Sequence, residues 1–89
     1  MTEIVSPIIH GNGTSKAALM KLRDDFYVSL NTARDLLCRL APNGRDYYPD
    51  PGRMEKAQEQ HWRRMNILAA LIEEIEQELE LMDSQTEDI

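Results

Sequence analysis

Beyond Arg64 this chain has no lysine or arginine, although eight aspartates and glutamates follow. All ten basic residues therefore lie in residues 1–64, against the other eight acids, and the two regions carry +2 and −8 of a net −6. An acidic chain of this kind argues against broad charge-driven nucleic-acid binding, which needs lysine and arginine to displace counterions. Cysteine is nearly absent: Cys38 alone excludes an internal disulfide. Within its apolar helical run it reads as a small core residue. The only histidines are His10 and His61, with no pair at ligand spacing, so no metal and no cofactor are expected. Nothing approaches the ~20 consecutive apolar residues of a membrane span. The N-terminus lacks the basic start and long apolar run of a signal peptide. A soluble protein of a reducing cytoplasm, with no membrane contact, is expected.

Eighty-nine residues make one domain at most. The patterning is all-α: a hairpin of two long antiparallel helices. Residues 1–13 read as an extended arm, broken by Pro7, in which Ile8 and Ile9 can pack on the helices. Gly11-Asn12-Gly13 leads into Thr14 and Ser15, either of which can cap a helix through its hydroxyl. A first helix is predicted over 15–41. Its apolar residues Leu19, Leu22, Phe26, Leu30, Ala33, Leu37 and Leu40 recur at threes and fours. Pro42 stops it. Residues 42–50 form a loop, with Asn43-Gly44 as a turn pair. Asp50-Pro51 supplies a cap followed by proline at the first helical position, opening a second helix over 51–82. His61, Met65, Leu68, Ile72, Ile75, Leu79 and Met82 make a heptad-like seam along it. The tail from Asp83 is polar and expected to fray.

Two helices cover little apolar surface, so assembly into a four-helix bundle or higher homo-oligomer is expected. Trp62, Met65, Leu68, Ile72, Ile75 and Leu79 are the candidate interface residues. The carboxylates at the end of the second helix oppose its dipole, so either packing overrides them or they meet a basic partner. Glu73, Glu76 and Glu80 read as a solvated face.

No catalytic residues are found: Cys38 has no activating neighbour pattern, and neither a nucleophile elbow nor a Walker loop is present. Two polar segments can bind. Asn12, Thr14 and Ser15 precede a helix whose amides could receive an anion. Asn43, Arg45, Tyr47 and Tyr48 combine a planar fixed charge with stacking faces and hydroxyls, suited to a nucleotide or a partner surface. The alternative is a structural loop, in which one tyrosine packs under the bend and Arg45 pairs with Asp46. In an antiparallel pair of hairpins, the 12–15 segment of one copy approaches the 42–50 loop of the other.

The Asn12-Gly13-Thr14-Ser15 segment, Pro42-Asn43-Gly44-Arg45-Asp46-Tyr47-Tyr48 and Glu59-Gln60-His61 together resemble small helical proteins of tailed phages and prophages. The resemblance covers about residues 12–80. It implies a non-enzymatic accessory protein in the host cytoplasm that binds a host or phage protein, counter-defence among its roles. One alternative is an oligomer that sequesters a nucleotide-type signal at inter-subunit pockets. Another is an acidic mimic of nucleic acid occupying a basic groove.

Overall fold

A computed structural model describes residues 3–85 and contains three helices among them: α1 (Lys16–Cys38), α2 (Gly44–Tyr47) and α3 (Pro51–Asp83). α1 and α3 form the antiparallel hairpin, with α2 set into the bend. The molecule measures 65 × 25 × 16 Å, with a radius of gyration of 18.8 Å. A compact chain of this length would have a radius of about 12 Å. Its thickness is little more than the roughly 10–12 Å diameter of one helix, so the hairpin is a single layer. Its accessible surface, 6997 Å², exceeds the roughly 5,400 Å² of a compact monomer of this mass.

The caps account for the helix starts. Ser15 is the N-cap of α1, its Oγ accepting the Ala18 N–H at 3.2 Å. Asp50 caps α3 by accepting the Arg53 N–H at 3.1 Å, with Pro51 in the first turn. α1 ends three residues before position 41. The amides of Arg39, Leu40 and Ala41 bond to the carbonyls of Leu36, Leu37 and Cys38, a tighter spacing that winds the helix down ahead of Pro42. At Asn43-Gly44 the chain turns directly into α2, the Asp46 N–H donating to the Asn43 carbonyl at 2.9 Å. Asn43 caps α2, its side chain accepting the Arg45 N–H at 3.0 Å. The Tyr48–Pro49 peptide is cis.

The seam of α3 faces α1. His61, Met65, Leu68, Ile75 and Leu79 are half-buried, and Ile72 and Met82 are buried. Five of the residues expected between copies, Met65, Leu68, Ile72, Ile75 and Leu79, are thus used within the hairpin, while Trp62 stays 69% exposed. The facing of α1 differs from its expected stripe. Leu19, Leu30 and Leu37 turn inward, but Leu22, Phe26, Ala33 and Leu40 are exposed. Arg23 and Tyr27 take the inward positions: Arg23 pairs with Glu78, and the Tyr27 hydroxyl donates to Glu76 at 2.8 Å. α1 carries two apolar stripes side by side, and one partner helix covers one of them. Cys38 is exposed, not a core residue.

The arm docks at the open end of the hairpin, where Ile9 is 5% and Met82 0% exposed. Ile8 points to solvent. The Gln85 side chain clasps the arm: Oε1 accepts the Ile9 N–H at 2.9 Å, and Nε2 donates to the Pro7 carbonyl at 2.8 Å and to Ser6 Oγ at 3.3 Å. Lys16 Nζ donates to the carbonyls of Asp83 and Gln85, at 3.0 and 2.7 Å. A cation from the start of α1 thus meets the negative end of the α3 dipole, offsetting the acids of its last turns. The tail expected to fray from Asp83 makes these contacts at Asp83 and Gln85, and its residues 86–89 lie outside the described residues.

Candidate functional site

The two candidate segments lie at opposite ends of the hairpin. α1 alone separates them by 23 residues, about 35 Å at roughly 1.5 Å per residue. One chain therefore does not unite them.

At the arm end, Ser15 is occupied with capping. Asn12 and Thr14 are exposed, and their side chains make no hydrogen bond among the described residues. The Gly13 N–H donates to the His10 carbonyl at 3.2 Å. A Cβ at Gly13 would fall 2.8 Å from His10 Nε2, so glycine there lets the imidazole lie against the turn.

At the bend, Asn43 is committed to capping α2 and Tyr47 is half-buried. Tyr48 is 85% exposed. The Arg45 guanidinium is exposed and has no hydrogen bond or ion pair among the described residues. The alternative Arg45–Asp46 pair is not formed. The loop thus presents an uncompensated planar cation three positions before a solvent-facing phenol ring, chemistry that suits an anionic group joined to a planar one.

Two grooves accompany the loop. An open groove of about 1080 Å³ runs along α3, lined by Pro42, Glu55, Glu59, Trp62 and Ile67 among others. Trp62 gives it a large apolar face and an indole donor. A shallower apolar groove of about 520 Å³ lies over Ala33, Leu36, Leu37, Leu40 and Leu68.

No group of three metal-ligating side chains occurs among the described residues, and none of their helices is long and apolar enough to cross a membrane. Glu73 and Glu80 are exposed, but Glu76 and Glu78 accept from Tyr27 and Arg23. The acidic stretch of α3 is therefore partly engaged within the hairpin. Sequence reading missed Gln85 and Lys16 as structural ligands of the arm, and Arg23 as an inward residue. Their partners lie 55 or more residues away, beyond any local pattern.

Comparison with known proteins gives no match: no protein-family model, curated protein or solved structure is significantly similar to this chain.

Proposed function

We propose that this chain is a non-enzymatic accessory protein of the phage or prophage type, and that it acts as a homo-oligomer by binding a host or phage protein in counter-defence. The observation that carries the binding reading is the single-layer hairpin with large side chains in solvent, Leu22, Leu40, Trp62 and Ile67 among them. Apolar surface left on this scale marks an interaction surface. The test is phage plating on hosts that carry individual defence systems, with and without the chain expressed. The expected result is restored plating against at least one system, weakened by Trp62→Ala. Unchanged plating across the panel counts against the reading.

A second reading rests on a separate observation, the unpaired Arg45 and the exposed Tyr48 on the same short bend. In it the oligomer sequesters a nucleotide-type signal: Arg45 holds phosphate, Tyr48 and Tyr47 bound the base, and Asn12, Thr14 and Ser15 of another copy complete the pocket. Thermal shift against cyclic and linear nucleotides tests it. Stabilisation by one class, abolished by Arg45→Ala, is expected; no response to any of them removes it.

A further inference from the structure

The exposed apolar residues are not scattered. Leu22, Phe26 and Leu36 each stand one position before an inward-facing residue of α1, namely Arg23, Tyr27 and Leu37. Ile67 and Leu81 stand likewise before Leu68 and Met82 of α3, and the half-buried Leu71 stands before Ile72. One position back is a rotation of about 100°. The helices run antiparallel and face each other, so this rotation carries both sets to the same broad face of the hairpin.

Along α3 the same positions are graded in charge. Arg53, Lys56 and Arg64 precede Met54, Ala57 and Met65, while Glu74 precedes Ile75; Glu78, before Leu79, is already engaged by Arg23 within the hairpin. Ile67 and Leu71 lie between the basic and acidic sets. The pattern is self-complementary about position 69: reversed on itself, it sets Arg64 against Glu74 and Ile67 against Leu71. On α1, reversal about Ala33 brings Phe26 level with Leu40, just beyond the helix end. The Arg23–Glu78 and Tyr27–Glu76 contacts fix how the helices lie alongside each other. Counting along both from these contacts places Ala33 level with Ala69. One two-fold axis at that level, perpendicular to the helices, therefore passes the centre of the α3 pattern and the small Ala33 of α1 together.

The geometry points to a second copy of this chain as the occupant of this face, stacked antiparallel with α1 on the partner's α1 and α3 on the partner's α3. This rests on the homo-oligomer reading above and specifies its interface. Charge supports the orientation. Residues 34–64 hold seven basic and five acidic residues, whereas the other described residues hold three basic and nine acidic. Antiparallel stacking lays each positive end on a negative one, and parallel stacking would join like ends. Area supports the occupant. The surface in excess of a compact monomer is about 1,600 Å² per chain, ample for the roughly 800 Å² that each partner contributes to a standard interface. A two-fold axis makes every contact occur twice. The small Ala33 at the axis permits close approach.

The test combines mass, orientation and charge reversal on the full chain. Light scattering should give twice the 10.3 kDa chain mass, or a higher even multiple. Spin labels on Gly52→Cys in a Cys38→Ser background should lie about 50 Å apart, from the 17 residues between Gly52 and the axis in each α3 at roughly 1.5 Å per residue. Arg64→Glu and Glu74→Arg should each weaken association by about tenfold, since each reverses two symmetry-related pairs, and the double variant should restore it. Ile67→Glu should give monomers, and Val28→Glu, outside the face, should not. A monomeric wild type overturns both this interface and the homo-oligomer reading. An oligomer with labels close together, or without rescue by the double reversal, overturns this interface and leaves the oligomer standing.

Discussion

Replacing Gln85 by alanine should free the N-terminal arm while leaving the hairpin folded. Holding Ser6–Ile9 costs about 1–2 kcal/mol of backbone entropy per residue, or about 4–8 kcal/mol in all. The three hydrogen bonds of the Gln85 side chain return about 0.5–1.5 kcal/mol each. Burial of Ile9, 5% exposed, adds about 1.5–3 kcal/mol. Cost and gain balance to within a few kcal/mol, so the arm is docked by a narrow margin. Gln85→Ala removes roughly half of the gain and none of the cost. Amide hydrogen exchange followed by NMR should show Ile9 losing its protection. The urea midpoint should move little, because an arm near balance contributes little net stability. Glu80→Ala, one turn away and exposed, should leave Ile9 protected. Unchanged protection at Ile9 in the Gln85 variant would refute the reasoning. So would a fall in stability as large as that of a core truncation, which would make the arm part of the cooperative unit.

Two further predictions concern the hairpin interface. Arg23 and Glu78, with side chains 25% and 18% exposed, form a partly buried pair, so Arg23→Met should cost about 1–3 kcal/mol by leaving the carboxylate without its partner. Arg23→Met combined with Glu78→Leu should recover much of that loss in urea unfolding; equal losses in the single and double variants would show that the pair is not coupled. Ile72→Ala, at the buried centre of α3, should cost about 2–5 kcal/mol. Val28→Ala, on the solvent side of α1, should stay within about 0.5 kcal/mol, and similar losses at the two positions would mean that the facing of the helices is misassigned.

α3 was readable in the sequence because three signals agree there: Asp50-Pro51 at its start, the seam of threes and fours, and a length far beyond what a strand would take. α1 was readable as a helix but not in its facing. Two adjacent apolar stripes compete, and the choice falls on the one where Arg23 and Tyr27 reach across to α3 acids. Only the pairing partner decides that, and it lies about 50 residues downstream. Cys38 was misjudged for the same reason, since it lies off the stripe that turns inward. At the bend, Asn43 and Gly44 carry turn chemistry that equally suits capping, and the short α2 follows from the second use. The separation of the two candidate binding segments was legible, since any hairpin of this length keeps its bend away from its open end. The clasp was not: a glutamine in a polar tail carries no local sign that it will hold an arm 76 residues earlier.

The position of that glutamine also has a consequence for synthesis. Translation at about 5–20 residues per second completes Ile9 about 4–15 s before Gln85. Throughout that interval Ile9 has no partner for its amide and no Met82 to pack beside. α1 meets α3 gradually from the bend, each step closing only a short extra loop, and the arm must wait for the last turn to emerge. A chain released without Gln85 would hold a zipped hairpin with its arm loose, and so more open to a chaperone or protease than the chain that carries the clasp.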